Sequence, residues 1–126
     1  MYPPFDPEAF RRQGHQLVDR LADYLDQATS GDPNLPVLPH AEPNDQLAEW
    51  ACDFTQPISF EALTERVLAG SNHLHHPRYL GHQVTAPLPL GALCELIDGL
   101  LNNANAVFEM GPVVTAIERN LSRWLG

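Results

Sequence analysis

The stretch DPEAFRRQGHQLVDRLADYLDQATSGDP, residues 6–33, decides the fold class. It opens with an acceptor at the N-cap, a proline at the first helical position and an acid near the positive end of the helix dipole: Asp6, Pro7 and Glu8. Apolar side chains then recur at helical spacing, namely Phe10, Leu17, Val18, Leu21, Tyr24, Leu25 and Ala28. Because the Ser-Gly-Asp-Pro run at 30–33 ends this pattern, we predict a helix over residues 7–29.

Further helical patterns follow along the chain. Ser59 is a good cap for the segment FEALTERVLAG, and Gly70 ends it. We also predict helices over 90–103 and 113–125, the former apolar enough to be buried on more than one side. A short helix around 45–52 would turn three side chains inward: Leu47, Trp50 and Ala51. Since no strand-like alternation persists, the sequence predicts a mostly α fold.

The chain divides into four segments. We assign residues 1–30 to an N-terminal helix and 31–58 to an extended linker, since five prolines there break any long helix. Residues 59–86 combine a helix with a histidine-rich loop, and 87–126 hold the last two helices. The final helix would point Val114, Ile117, Leu121, Trp124 and Leu125 inward. The sequence stops on bulky apolar groups, so we expect a fragment of a longer domain.

Composition excludes several classes of function. The formal net charge is −9, from 16 acidic and 7 basic residues. That balance argues against nucleic acid and against an anionic membrane surface as partners. No apolar run approaches the length of a membrane span, and no signal peptide is evident. Cys52 and Cys94 lie far apart, which favours a reducing compartment, so we expect a cytoplasmic protein.

The segment HLHHPRYLGHQ, residues 73–83, holds four of the six histidines. One hypothesis is a metal site, with His73 and His75 on one face and His76 or His82 adding a ligand. The spacing matches no zinc motif, and Arg78 would place a positive charge beside the cation. We therefore predict no metal site, and we interpret His73 and His75 as positional or solvated.

No complete catalytic centre is visible. Cys94 lies in an apolar helix, where a thiol is usually inert, and no serine or threonine has an evident base. Glycine-rich phosphate-binding loops are absent from the sequence. All seven basic residues are arginine, so the chain has no lysine. Chemistry that requires a primary amine side chain is therefore excluded for these 126 residues alone.

Several segments together resemble the pyridoxal-phosphate-dependent group II amino-acid decarboxylases, which include aromatic-amino-acid, glutamate and diaminobutyrate decarboxylases. His76-Pro77-Arg78-Tyr79-Leu80-Gly81 is similar to the family's HPRF/Y segment. Residues 10–19 are similar to the first helix of the aromatic decarboxylases. The remaining similarity lies in Leu101-Asn102, Glu109-Met110-Gly111-Pro112, Thr115-Ala116-Ile117-Glu118 and Trp124-Leu125. The order and approximate spacing of these segments match the family over most of the chain.

The resemblance implies a fold and a role. The matching region of the family is an N-terminal helical arm that wraps around the partner subunit of a homodimer, followed by a large domain of type I aminotransferase fold. The first helices of that domain would be those of residues 87–126. In the family a lysine of the large domain forms a Schiff base with pyridoxal phosphate. We therefore expect this chain to hold no catalytic or cofactor-binding residue and to be inactive as a carboxy-lyase by itself.

The resemblance also implies a part of the substrate pocket. Carried onto this sequence, the substrate-binding candidates are His82, Gln83, Val84 and Thr85, with Ala104 and Ala106 as weaker ones. The aromatic decarboxylases have aromatic residues and a proline in place of the first three. A polar His-Gln pair fits a substrate with a polar side chain better than an indole or a phenol. The alternative to a decarboxylase fragment is a stand-alone helical module that mediates dimerisation without catalysis.

Overall fold

The structure, a computed structural model, describes residues 4–51, 57–104 and 106–126. Its elements are helices α1 (Pro7–Ser30), α2 (Pro43–Trp50), α3 (Phe60–Gly70), α4 (Pro89–Leu101) and α5 (Pro112–Leu125), with a 3₁₀ turn over Phe108–Met110. No strand occurs within these described ranges. The predicted mostly helical fold is confirmed at this level. The chain divides into two compact units, Met1–Ala86 and Pro87–Gly126.

Helix α1 begins and ends as its sequence predicts. The Asp6 side chain accepts a hydrogen bond from the backbone N–H of Glu8 at 3.0 Å, and Pro7 occupies the first turn. At the other end Gly31 adopts a left-handed conformation with φ of 71°. This conformation lets the backbone N–H of Asp32 reach the carbonyl oxygen of Gln27 at 3.1 Å. The chain therefore turns sharply away from the helix at Gly31.

Two arginine contacts tie the helices of the first unit together. Arg20 of α1 donates from Nε and Nη2 to the two carboxylate oxygens of Glu65 in α3, at 2.6 and 3.0 Å. This two-pronged geometry fixes the register of the pair more tightly than a single ion contact would. Arg66 of α3 donates to the carbonyl oxygen of Glu49 at 3.0 Å and lies 4.3 Å above the ring of Trp50. Helix α2 is held against α3 by these contacts.

Helix α2 differs in part from its prediction. It runs from Pro43 to Trp50, with Ala51 as its C-cap, and the predicted end at residue 52 lies outside the described residues. Leu47 is 70% exposed and Ala51 is also exposed, so their predicted inward orientation is wrong. Trp50 is half-buried because Arg66 covers one face of its ring.

Apolar burial within the chain is small. Among the described apolar side chains, only Ala9 and Ala28 are buried. In the second unit the 3₁₀ turn packs against α5, yet Trp124 is 80% and Leu125 71% exposed. The inward orientation predicted for the apolar side chains of α4 and α5 is not met within the described residues, where these side chains are mostly exposed. No described helix is both long enough and apolar enough to cross a lipid bilayer.

Candidate functional site: a histidine turn and the loop that follows it

Residues 73–79 form a series of hydrogen-bonded turns after α3. The backbone N–H of His76 donates to the carbonyl oxygen of His73 at 3.0 Å, and that of Tyr79 donates to the carbonyl oxygen of His76 at 2.9 Å. The N–H of Arg78 donates to Nδ1 of the His76 ring at 3.1 Å. These three bonds make the segment a defined structure, which we call the histidine turn.

The histidine turn is anchored to other parts of the first unit. Its first residue, His73, donates its backbone N–H to the carbonyl oxygen of Val37 at 3.0 Å. Nδ1 of the same ring lies 3.2 Å from the hydroxyl of Tyr24 in α1, and the two ring centroids are 5.4 Å apart. Pro77 packs at the end of α1, since a Cβ on Gly31 would lie 3.1 Å from its Cγ. The turn therefore bridges α1 and the segment after it.

Burial separates the four histidines of the segment into different kinds. The side chains of His73 and His76 are 1% and 2% exposed, whereas His75 is half-buried and His82 is exposed. Of the two interpretations offered for His73, the positional one is confirmed and the solvated one is wrong. Burial lowers the pKa of His73 below its ordinary value, and the nearby charge of His76 lowers this pKa further. His73 is therefore held as the neutral imidazole near neutral pH.

Tyr24 is the residue of this site that the sequence did not single out. It had been placed only on the apolar face of the first helix, and its hydroxyl proves to be the partner of His73. Burial raises the pKa of this phenol above its ordinary value. A tyrosine among leucines on a helix face is a weak signal of such a partner, because buried hydroxyls usually need one.

A cleft of about 280 Å³ lies beside the histidine turn. Its lining combines Tyr24 and His73 with the Arg20–Glu65 ion pair and apolar side chains, among them Leu35 and Leu68. The hydrogen bond from Arg20 lowers the pKa of Glu65, and the same bond raises the pKa of Arg20. Both charged groups of the cleft are therefore already paired with each other.

The metal hypothesis concerns the ring nitrogens of this segment, and the structure gives hydrogen-bonding neighbours to two of them. Nδ1 of His73 faces the Tyr24 hydroxyl, and Nδ1 of His76 accepts a backbone hydrogen bond. Over the described ranges, no three side chains of histidine, cysteine, aspartate or glutamate come together as a metal site would require.

The four predicted substrate-binding residues follow the turn as one exposed loop, residues 82–85. His82, Gln83, Val84 and Thr85 are all exposed, and Val84 is 54% exposed. The backbone N–H of Val84 donates to the carbonyl oxygen of His82 at 2.6 Å, which makes a tight turn around Gln83. This turn brings the four residues together, but their contact with a substrate stays a prediction. The weaker candidates Ala104 and Ala106 are also exposed and belong to the second unit.

Comparison with known proteins connects this site to one kind of enzyme. The chain is 33% identical to a tyrosine decarboxylase of Oryza sativa subsp. japonica over 96% of its own length. It is 30% identical to a tyrosine decarboxylase of Papaver somniferum and 29% identical to tyrosine decarboxylase 1 of Narcissus pseudonarcissus, each over 98% of its length. It is also similar to plant tyrosine/DOPA decarboxylases, at 29% identity for tyrosine/DOPA decarboxylase 1 of Papaver somniferum.

The similarity to tyrosine decarboxylases covers the chain but not the enzymes. The chain spans about a quarter of the length of these relatives, between 23% and 24%. No protein-family model matches the sequence. The relation to decarboxylases therefore includes both the histidine turn and the exposed loop, while most of each relative has no counterpart in these 126 residues.

Proposed function

We propose that this chain is one part of a pyridoxal-phosphate-dependent amino-acid decarboxylase of group II. The observation that carries the proposal is the similarity to tyrosine decarboxylases along 96–98% of the chain. In this proposal the first unit is the helical arm, and residues 87–126 begin the large domain of aminotransferase fold. The arm contacts a partner subunit, and the assembled enzyme is a cytoplasmic homodimer.

The residues of this chain do not by themselves fit the cofactor. Group II decarboxylation needs a lysine to attach pyridoxal phosphate, and the sequence contains none. The candidate pocket residues 82–85 are exposed along their whole length, so they enclose no ring-sized ligand on their own. The cofactor site belongs, in this proposal, to the parts of the protein that these 126 residues lack. The isolated chain is then inactive.

The role proposed for the chain in catalysis is to complete one wall of the substrate pocket. The histidine turn lies directly before the loop, and the backbone hydrogen bond from Val84 to His82 forms a tight turn around Gln83. His82 offers a hydrogen-bonding ring and Gln83 an amide that both donates and accepts. These groups favour a substrate with a polar or charged side chain. The matched relatives are named for tyrosine, so an assay that compares an aromatic with a charged amino acid decides the substrate class.

The decisive experiment uses the protein produced from the complete coding sequence. We expect it to bind pyridoxal phosphate, with the visible absorbance of the protein-bound cofactor, and to release carbon dioxide from an amino acid. Aromatic, acidic and basic amino acids are offered in parallel. Complete protein with bound cofactor that decarboxylates none of the three classes would contradict the decarboxylase assignment.

The pocket role is tested by variants within that protein. His82→Ala and Gln83→Ala should raise KM or change the preference among the three substrate classes. His40→Ala is the matched control, because His40 is an exposed histidine outside the loop whose side chain is 88% exposed. Equal kinetics in the loop variants and in the control would remove residues 82–85 from the substrate pocket.

The second candidate is a stand-alone helical module that dimerises without catalysis. The exposed apolar side chains of α4 and α5 favour it, since surfaces of this kind usually meet another protein surface. The coding sequence beyond residue 126 distinguishes the two candidate functions. A stop codon there supports the module, and continued coding with a lysine-containing segment of the family type supports the enzyme.

A further inference from the structure

Two imidazole rings are buried in a unit that buries little else. His73 and His76 are the only buried polar side chains among the described residues, and Nε2 of each ring has no hydrogen-bond partner within the described part. A neutral imidazole tolerates this environment far better than an imidazolium, since the charged form loses its hydration. The stability of the histidine turn therefore depends on the protonation of these rings.

The hydrogen bond at His76 fixes one proton position. Nδ1 of this ring accepts the backbone N–H of Arg78, so it carries no hydrogen in the folded turn. The hydrogen of the neutral ring then lies on Nε2. An imidazolium has a hydrogen on both nitrogens, so it cannot accept from Arg78. Protonation of His76 removes one of the three bonds that define the turn.

Within the described part of the chain, burial and the neighbouring His76 both lower the pKa of His73, and no carboxylate is among the causes that act on it. Among the described residues, the titratable and charged groups of the elements around it include Tyr24, Arg20 and the neighbouring Asp23 of α1, Glu65 of α3, and His75, His76 and Arg78 of its own segment. Glu65 is engaged by Arg20 through both oxygens. In the segment between α1 and α2, Asp32 accepts from Asn34 within its own turn. His73 therefore meets a neutral phenol and a paired ion, beside a second buried ring.

We propose that the histidine turn holds the start of the loop at residues 82–85 in place at neutral pH and opens in acid. We call this arrangement the latch. With both rings neutral, the turn stays bonded to Tyr24 and to Val37, and the loop begins from a fixed position. Protonation of the buried rings opens the turn and releases the loop. The effect on substrate binding rests on the function proposed above, whereas the latch itself is a property of this chain.

The direction of the pH dependence follows from His73. Its pKa in the folded turn is lowered from the ordinary value of 6.5, so the open state takes up a proton more readily than the closed state. The closed turn is fully stable above pH 6.5 and is lost as pH falls through the lowered pKa. One such group raises the opening constant by at most about tenfold for each pH unit below its ordinary pKa.

Hydrogen exchange on the 126-residue chain tests the latch without any enzyme assay. The readout is the exchange of the backbone amides of His73, His76 and Tyr79, corrected for the intrinsic pH dependence, between about pH 8 and about pH 5. We expect protection at these amides to fall below pH 6.5, by at most about tenfold for each pH unit. Amides in the middle of α1 should keep their protection. Equal loss at both places would mean general unfolding and would overturn the proposal.

Variants separate the latch from a merely structural role. His76→Asn keeps an acceptor for the Arg78 N–H but cannot be protonated, so it should retain the turn at neutral pH and reduce its acid sensitivity. His73→Asn should act in the same way on the Tyr24 contact. His15→Gln, at an exposed histidine of α1, is the control and should leave the wild-type pH response.

A direct titration serves if either asparagine variant fails to fold. The ring of His73 in the wild-type chain should be protonated only below its ordinary pKa of 6.5, and its resonances should shift as the turn opens. A ring that titrates at its ordinary value while the three amides stay protected would refute the latch. Because none of these readouts involves catalysis, failure of the latch and failure of the decarboxylase proposal are distinguishable.

Discussion

Replacing Gly31 by alanine should destabilise the first unit, and the structure gives two reasons. Gly31 has φ of 71°, a left-handed conformation that costs an L-residue with a Cβ roughly 1–2 kcal/mol. The added Cβ would also lie 3.1 Å from Cγ of Pro77, closer than ordinary van der Waals contact. Both effects act in the folded state, so we expect the free energy of unfolding to fall by about 1–2 kcal/mol.

Gly14→Ala is the matched control for this substitution. Gly14 lies inside α1, and a Cβ there meets nothing within 4 Å. Alanine in a helix interior is more favourable than glycine by about 0.5–1 kcal/mol. The same chemical change should therefore stabilise the chain at residue 14 and destabilise it at residue 31. The opposite signs exclude any general effect of an added methyl group.

Two more variants show how much of the lost free energy of unfolding comes from the left-handed conformation of residue 31 and how much from the contact with Pro77. Asparagine tolerates the left-handed conformation better than alanine does, so Gly31→Asn should recover part of the conformational cost but keep the contact with Pro77. Pro77→Ala combined with Gly31→Ala should relieve only the contact. A double-mutant cycle over these positions then gives the interaction energy between the two residues.

Urea denaturation followed by far-ultraviolet circular dichroism measures these free energies. A loss of about 1–2 kcal/mol at Gly31 corresponds to a change of about five- to thirtyfold in the ratio of folded to unfolded chain. A Gly31→Ala chain as stable as wild type would refute the left-handed end of α1. A destabilised Gly14→Ala chain would refute the open space assigned to that position.

Three other predictions concern contacts and exposed faces of the described residues. Tyr24→Phe removes the hydroxyl partner of buried His73 and should lower the free energy of unfolding by about 0.5–1.5 kcal/mol. An unchanged midpoint in urea denaturation would mean that this hydrogen bond does not stabilise the fold. The hydrogen bond from Arg20 lowers the pKa of Glu65 below its ordinary value of 4.5. The stability that this carboxylate contributes is therefore present above pH 4.5 and is lost as pH falls through the lowered pKa. Glu65→Gln should flatten the stability profile in that acid range, and Glu61→Gln should not. Trp124→Glu places a charge on the exposed apolar face of α5 and should weaken self-association in sedimentation, whereas Ser122→Glu, with the same charge outside that face, should not.

Local sequence signals predicted the helices well because each has its own start signal. Ser59 accepts from the backbone N–H of Ala62 at 3.1 Å, as a helix cap should. The predicted starts at 90 and 113 fall one residue late, since Pro89 and Pro112 fit the first helical position. The predicted end at 103 is two residues too far because Asn102 adopts φ of 48°. Apolar periodicity carries no information about that left-handed residue.

The histidine site was only partly predictable, because its decisive contacts join distant parts of the chain. His73 and Tyr24 are separated by 49 positions, so no local pattern links them. The hydrogen bond from the backbone N–H of His73 ends on Val37, which lies in the proline-rich segment that the sequence predicts only as extended. The resemblance to decarboxylases identified residues 73–85 as the segment of interest. It did not distinguish the buried rings from the exposed one.

The contrast between the turn and its loop argues for a surface that this chain does not provide. Exposure rises from 2% at His76 to 96% at Leu80 within four residues, and Val84 is 54% exposed beside the polar His82 and Gln83. Apolar side chains so placed gain free energy only when another surface covers them, by about 25 cal/mol for each square ångström removed from water. In the decarboxylase proposed above, a fixed turn before this exposed mixed loop would lower the ordering cost when another part of the protein covers the loop.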